Sequence, residues 1–156
     1  MMALSRKTRY ALRALYALGG DEARGPVLIA DLAARERIPR KFLELILLEL
    51  RNAGILRSKK GKGGGYALAR PAREVTLGQV IRVVDGPLAP IPCVSERAYV
   101  PCEECVSEET CGTHLVMKEV RDAISKILDT TTLADVRDRV AKAGRRAGLP
   151  LYKAGV

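Results

Sequence analysis

The chain has 156 residues, 47% of them hydrophobic, which excludes an intrinsically disordered chain and predicts one domain with a core of its own. No run of residues approaches the ~20 apolar positions of a transmembrane helix. The net charge of +9 comes from residues 1–70, with 15 Lys and Arg against 6 Asp and Glu, whereas residues 71–156 are neutral. This asymmetry favours a first half that binds a polyanion, although a solvated basic surface without a partner would give the same count.

The first predicted element is an amphipathic helix over residues 5–18. Its apolar residues recur at steps of three and four, and its arginines lie on another face. Gly19 and Gly20 are expected to end it. Because basic residues interrupt the apolar stretch that a secretory signal needs, we expect no signal peptide and a cytoplasmic protein without a membrane partner.

The next two elements form a helix-turn-helix pattern. A short helix is predicted from about Leu28 to Arg37. A third helix follows from Pro39, a residue that the first turn of a helix tolerates, and Gly54 stands at its C-cap. In a DNA-binding pair of this kind, the second helix enters the major groove.

The third predicted helix has a core face and a polar face at 100° per residue. The core side is expected to hold Phe42, Leu43, Ile46, Leu50 and Ala53. The polar side carries the predicted DNA-binding residues Arg40, Lys41, Glu44 and Arg51. Leu47 and Leu48 flank this polar side. They would either contact thymine methyl groups or pack on another element.

Two short strands, ILRSKK and YALA, are predicted with the loop GKGGG between them. The hairpin would bring Lys59, Lys60 and Lys62 to the DNA backbone or minor groove next to the third helix. Its glycines permit a sharp turn. The sequence lacks the motifs of nucleotide-binding loops in a strand-to-helix context, so this region predicts a winged helix-turn-helix rather than a phosphate-binding enzyme.

Three stretches resemble the IscR/NsrR-type winged-helix regulators of the Rrf-two family. They are SRKTRYALRAL at residues 5–15, IADLAARERIPRKFLE at 29–44 and LRSKKGKGGGYALARPAREVTLGQVIRVVDGPLAP at 56–90. The resemblance extends to about residue 140. It implies a homodimer that binds a roughly palindromic, AT-rich operator in double-stranded DNA. It also implies, as in many members, an iron–sulfur cluster between the winged helix and a long dimerisation helix.

All four cysteines and the only histidine lie within 22 residues. In a reducing compartment, clustered thiols bind metal more often than they form disulfides. Thiolates and imidazole suit either an iron–sulfur cluster or four-coordinate zinc. The candidate metal ligands are Cys93, Cys102, Cys105, Cys111 and His114.

The resemblance implies that Cys93, Cys105 and Cys111 ligate a cluster of 2Fe–2S or 4Fe–4S type, with His114 as a further ligand. This sequence departs from the family pattern, because the gap from Cys93 to Cys105 is longer and contains Cys102, which completes a Cys-x-x-Cys motif. Five glutamates in the segment are expected to favour the oxidised cluster and lower its reduction potential, or else only to keep an exposed loop soluble.

A long amphipathic helix is predicted to begin near Cys111 and to end at the threonines 130–132. Its apolar stripe consists of Val116, Val120, Ile124 and Ile127. In a monomer this stripe could cover the chain's own core, whereas the resemblance makes it the dimer interface. A shorter helix, LADVRDRVAKA, follows, and then a basic, poorly patterned tail.

These observations predict a mainly α fold with a small β-hairpin wing, consisting of a winged helix-turn-helix and a long dimerisation helix. The predicted regions are a DNA-binding region (1–90), a cysteine-rich loop (91–114), dimerisation helices (115–145) and a tail (146–156). We expect a homodimeric transcriptional regulator, a repressor rather than an enzyme, whose cluster senses iron, redox state, oxygen or nitric oxide. Alternatives are a regulator that is stabilised by zinc or controlled by a partner, and an iron–sulfur electron-transfer protein.

Overall fold

A computed structural model describes residues 4–148. Within this part, the chain forms helices α1 (Arg6–Gly20), α2 (Ile29–Glu36), α3 (Arg40–Asn52), α4 (Leu77–Val84), α5 (Gly112–Thr130) and α6 (Leu133–Arg146), and strands β1 (Leu56–Lys59) and β2 (Gly65–Leu68). The mainly α class with a small hairpin is therefore confirmed. No helix in the described residues is long and apolar enough to cross a membrane. Of the predicted tail, Arg146 ends α6, and residues 149–156 lie outside the described residues.

Helix α1 is at the centre of the hydrophobic core. Ser5 caps it by accepting a hydrogen bond from the Thr8 amide at 3.0 Å. One face of α1 is buried against α2, α3, α4, β2 and α6. The helix ends at Gly20, as predicted from the two glycines. Both are helical, and Gly19 is buried close to Ala72, where a small residue permits close packing.

The turn between α2 and α3 depends on three residues. Arg37 takes the left-handed conformation, with φ 51°, and ends α2. Ile38 is only 3% exposed, and its amide donates to the Ala33 carbonyl at 3.0 Å, which anchors the turn in the core. Pro39 stands at the N-cap of α3 rather than inside its first turn. These contacts fix the angle at which α3 leaves the core.

The wing is an antiparallel hairpin, and a residue outside it, Val27, also forms backbone hydrogen bonds with it. Leu56 pairs with Leu68 at the open end of the hairpin, and Lys59 pairs with Gly65 beside the turn. Val27, in the loop before α2, exchanges two backbone hydrogen bonds of 2.8 Å with Tyr66. Gly65 is required at this crossing, because its φ is +137° and a Cβ there would lie 2.2 Å from the Val27 carbonyl oxygen. The wing is therefore tied to the start of the helix-turn-helix.

Helix α4, which the sequence analysis did not predict, is held at its N-terminus by a capping box of Thr76 and Gln79. It packs against α1 and α3. Helix α6 then returns the chain to the core, where Leu133 is 2% exposed. The Leu77 amide donates to Thr131 at 2.9 Å, and the Leu133 amide donates to the Val75 carbonyl at 3.0 Å. The segment between these residues therefore leaves and re-enters the core at one place.

Candidate DNA interface and cysteine segment

Helix α3 presents the predicted DNA-binding residues to solvent. Arg40, Lys41, Glu44 and Arg51 are all exposed, while Leu43, Ile46, Leu47 and Leu50 are buried on the opposite side. Arg40 Nε lies 3.1 Å from Glu44 Oε1 one turn away. Arg51 Nη1 lies 3.5 Å from Ser58 Oγ and so links the helix to β1. This surface offers cationic donors and one carboxylate acceptor to a ligand.

The two leucines predicted to flank the polar face of α3 lie in different environments. Leu47 packs fully into the core, whereas Leu48 is 41% exposed. Leu45, which sequence reasoning did not consider, is 62% exposed on the same side as Leu48. Ala53 was expected in the core, and this was wrong, because it is the exposed C-cap residue. The solvent face of α3 therefore mixes charged and apolar side chains.

The wing carries the three predicted lysines in exposed positions around a tight turn. Lys59, Lys60 and Lys62 are all exposed, and the turn is closed by a hydrogen bond of 3.0 Å from the Gly64 amide to the Gly61 carbonyl. Sequence reasoning missed two further exposed basic residues, Arg37 in the helix turn and Arg57 on β1. Positive φ at Arg37 could not be read from the sequence, because glycine usually occupies such positions.

The cysteines occupy three local structures. Cys93 lies in a short 3-10 turn, Pro92–Val94. Cys102 and Cys105 share a turn in which the Cys105 amide donates to the Cys102 carbonyl at 3.3 Å. Cys111 is the N-cap of α5, where its Sγ accepts from the His114 amide at 3.5 Å. All four thiols are free, and Cys102 is the most exposed of them.

Electrostatic contacts link these thiols. Desolvation raises the pKa of Cys93, and the nearby Glu108 carboxylate raises it further. Desolvation also raises the pKa of Cys105, whose thiol donates a hydrogen bond to Cys111. The pKa of Cys111 is lowered, first by the hydrogen bond from the His114 amide, as expected for a thiol at a helix N-terminus. Cys111 is therefore the thiol that ionises most readily of these three.

His114 contributes the one imidazole of the segment. Its side chain is 13% exposed, and its Nδ1 is buried without a hydrogen-bond partner among the described residues. The nearest carboxylate oxygen, Glu108 Oε2, is 3.9 Å away. The other oxygen of Glu108 accepts from the Tyr99 hydroxyl at 2.6 Å. A buried nitrogen without a partner is costly, and coordination of a metal would satisfy it.

The cysteine segment contains side chains of the kinds that bind metals, but they are not arranged around one common point. Among the described residues, no three His, Cys, Asp or Glu side chains are arranged to hold a metal ion. Thiolates with one imidazole fit an iron–sulfur cluster or zinc in chemical type. The donors would have to approach one another when such a group binds, which couples binding to ordering of the segment.

Two ion pairs connect the cysteine segment and α4 with α5. Arg121 of α5 is 8% exposed, and its Nη1 lies 2.7 Å from Glu96 Oε1, three residues after Cys93. Arg82 of α4 binds Asp129 near the other end of α5. A movement of the cysteine segment would therefore act directly on α5.

The predicted apolar stripe of α5 is divided between two environments. Val116 and Ile127 are 55% and 60% exposed, and Val120 is half-buried. Ile124 instead lines a cavity of about 310 Å³ together with Ile81 and Leu88. Val116 and Ile127 therefore face solvent, while Val120 and Ile124 are half-buried.

Residues 4–139 match the Rrf2 family model, described as an iron-dependent transcriptional regulator. The chain belongs to the Rrf2 family. This Rrf2 chain is 41% identical over 137 residues to an rrf2-like regulator of the helix-turn-helix type from Rhodobacter capsulatus, covering 85% of this chain and 91% of the relative. The resemblance inferred from the sequence is confirmed.

Solved structures agree with this assignment. CymR, the global cysteine regulator of B. subtilis, superposes with a TM-score of 0.72 at 31% identity, covering 87% of this chain and 96% of CymR. T. potens IscR superposes with a TM-score of 0.70 at 29% identity, covering 91% and 90%. The Rrf2 chain is therefore a winged-helix DNA-binding transcriptional regulator and not an enzyme.

Proposed function

We propose that this Rrf2-family regulator is a homodimeric repressor whose affinity for a roughly palindromic operator is set by an iron–sulfur cluster in the cysteine segment. The observation that carries the proposal is the place of Cys111. It is both a candidate ligand and the N-cap of α5, the helix that carries the exposed apolar stripe. A group bound at Cys111 acts at the end of the proposed dimerisation helix.

Cys93, Cys105 and Cys111 would hold the cluster, with His114 or Cys102 completing the ligand set. Cysteine thiolates are the usual ligands, and replacement by histidine raises the reduction potential. The cluster would supply a group that changes charge or is lost when iron, redox state, oxygen or nitric oxide changes. His114 would ligate through Nδ1, which is buried and has no hydrogen-bond partner among the described residues.

The chain's own contacts give a route from this segment to DNA. Glu96 binds Arg121 of α5, and Asp129 of α5 binds Arg82 of α4. Helix α4 packs against α3. In a dimer that joins through α5, a shift of this helix would change the distance between the two α3 helices. Half-sites on DNA lie at fixed helical spacings, so the two states would differ in affinity.

A zinc-stabilised or partner-controlled regulator without a cluster is the second candidate function. The turn from Cys102 to Cys105 favours it, because a Cys-x-x-Cys turn is common in four-coordinate zinc sites. In that case the thiols would hold the segment in one structure. The signal would then come from another molecule.

The deciding experiment is anaerobic purification of the full chain with assays of visible absorption, iron, acid-labile sulfide and zinc. Coloured protein with iron and sulfide supports the cluster. Colourless protein with about one zinc per chain contradicts it and supports the second candidate. Duplex binding by cluster-containing and cluster-free protein, compared at one salt concentration, tests whether the cluster sets the affinity.

A further inference from the structure

Two exposed leucines lie within the charged face of α3. Leu45 is 62% exposed and Leu48 is 41% exposed. At about 100° per residue, Leu48 lies between Glu44 and Lys41 around the helix, and Leu45 follows Lys41. Residues three apart on a helix are neighbours, so the two leucines form one short apolar strip.

The fold does not require leucine at these two positions. The core side of α3 is complete without them, because Leu43, Leu47 and Leu50 are each fully buried. Lys, Glu or Gln would serve the helix about as well as leucine does. Packing of the core therefore does not explain why both positions are leucine.

The surroundings of the strip indicate what covers it. Arg40, Lys41 and Arg51 lie on the same face of α3, and the exposed wing lysines follow in the chain. A second protein with an apolar surface would have to bury these charges without counterions, which is costly. A DNA duplex supplies phosphates for the cations and, in the major groove, one apolar group per A·T pair, the thymine C5-methyl.

We propose that Leu45 and Leu48 select thymine, by contact of their methyl groups with thymine C5-methyl groups in the major groove. Cytosine has no methyl at C5 and presents an N4 amino donor, which a leucine would leave without an acceptor. The neighbouring Arg40 and Glu44 supply polar contacts to other base edges. This inference rests on the proposed placement of α3 in the major groove.

The test replaces single thymines by deoxyuridine, which keeps the pairing with adenine and lacks only the C5-methyl. A duplex is first selected from a random library by the full-length parent protein. The Kd is then measured for the parent, Leu45→Ala and Leu48→Ala on the thymine duplex and on each deoxyuridine duplex. Both positions are exposed, so the alanine variants should fold, and circular dichroism checks this.

We expect the parent to lose about fourfold in affinity for each contacted thymine, the factor for one methyl-sized group returned to water. Each alanine variant should bind the thymine duplex about as weakly as the parent binds the matching deoxyuridine duplex. It should no longer respond to that replacement. Val140→Ala, at an exposed apolar position on α6, is the matched control and should behave like the parent on every duplex.

Equal affinity of the parent for thymine and deoxyuridine duplexes at every position would overturn the inference, while the selected duplex itself would still support DNA binding. Unchanged deoxyuridine sensitivity in both alanine variants would overturn it as well. If the library yields no enriched duplex, the DNA-binding function proposed for α3 fails together with the inference.

Discussion

Arg82 on α4 and Asp129 on α5 form a two-pronged ion pair, with Nη1 to Oδ1 at 2.5 Å and Nη2 to Oδ2 at 2.8 Å. The pair lies directly over Gly78, where a Cβ would be 2.0 Å from Asp129 Oδ1. Any larger residue at Gly78 would displace the Asp129 carboxylate or the Arg82 guanidinium and so disturb the ion pair. This ion pair thus connects the winged helix to the proposed dimerisation helix.

Asp129→Asn should destabilise the chain at neutral pH but not at low pH. The hydrogen bond from Arg82 lowers the pKa of Asp129, and the positive charge of Arg82 and Arg97 lowers it further. A lowered folded-state pKa contributes stability above the unfolded value of about 3.9, and this is lost as the pH falls through the folded value. Because Asp129 is 41% exposed, solvent screening limits the loss at pH 7 to about 0.5–1 kcal/mol.

Urea unfolding of the parent and the variant at several pH values measures this difference. The deficit of Asp129→Asn should shrink as the pH falls below about 4. Asp138→Asn is the control and should show little deficit, because its side chain is 64% exposed and its ion pair among the described residues is with the neighbouring Arg137. A deficit of the same size at every pH would mean that geometry rather than charge is lost.

The cysteine variants should differ in iron content after anaerobic purification. Cys105→Ala and Cys111→Ala should bleach the protein, since these two thiols contact each other and Cys111 begins α5. Cys93→Ala should lose more iron than Cys102→Ala, because Cys102 is exposed. Iron and sulfide per chain are the measurements. Full iron in Cys93→Ala with loss in Cys102→Ala would reverse the ligand assignment.

Ile127→Glu should convert the proposed dimer to a folded monomer. Ile127 is 60% exposed, so the glutamate is tolerated in a monomer, whereas an unpaired charge in a dimer interface costs several kcal/mol, about 3–5. Ile124 is a poorer site for this test, because it also lines the cavity beside Ile81. Sedimentation velocity gives the mass. Leu28→Glu, at a position before α2 that is 54% exposed, carries the same charge change and should stay dimeric. A dimeric Ile127→Glu would place the interface elsewhere.

Lys60→Ala should weaken binding through the wing. If Lys60 contacts phosphate, all duplexes should weaken alike, and the slope of log K against log salt should fall by about 1. If it contacts a narrow minor groove, AT-rich duplexes should weaken more than random ones. Lys142→Ala, an exposed lysine on α6, is the charge-matched control. Identical slopes for parent and Lys60→Ala on both duplexes would remove the wing from the interface.

Glu44→Ala should relax base preference rather than lower affinity for every sequence. Loss of the carboxylate also frees Arg40, whose Nε is 3.1 Å away. We expect a change of about 1–3 kcal/mol at one position of each half-site. Competition between single-base variants of the selected duplex measures it. A uniform change across all positions would show that Glu44 acts only on the net charge.

Gly65→Ala and Gly61→Ala should differ in stability although both glycines have positive φ. At Gly65 a Cβ would lie 2.2 Å from the Val27 carbonyl oxygen, which breaks the link between wing and helix-turn-helix. At Gly61, with φ +85°, no atom lies within 4 Å of that Cβ. We expect losses of about 1 kcal/mol at Gly61 and well over 2 at Gly65. Thermal unfolding of the two variants compares them directly.

Periodic features were predictable from the sequence, and contacts between distant residues were not. The apolar steps of α1 and α3 and the lysine-rich hairpin identified the winged helix. Helix α4 was missed, although its capping box, Thr76 followed by Gln79, is a start signal that could have found it. The pairing of Val27 with Tyr66 leaves no periodic trace in the sequence.

In the candidate sites, too, periodic features were predictable and contacts between distant residues were not. Exposure of Arg40 and Lys41 follows from helical geometry, but Leu47 lies near the edge of the core face, where only packing decides whether it is buried. The thiols and the imidazole that could bind a metal were evident from the sequence. Their mutual arrangement depends on turns without periodicity, and on Glu96 meeting Arg121, so it could not be derived from spacing alone.

The hydrogen bonds that join Val75 and Leu77 to Leu133 and Thr131 have a consequence for how this chain can vary. The chain between them leaves and re-enters the core at one place, so extra residues in the loop between α4 and α5 need not displace α1 or α3. Each doubling of a flexible loop costs only about 0.6 kcal/mol. The long interval between Cys93 and Cys105, with its additional thiol, is therefore the kind of change that this architecture accepts at small cost. The cysteine segment can therefore change in length and in its candidate ligands while the exposed face of α3 stays the same.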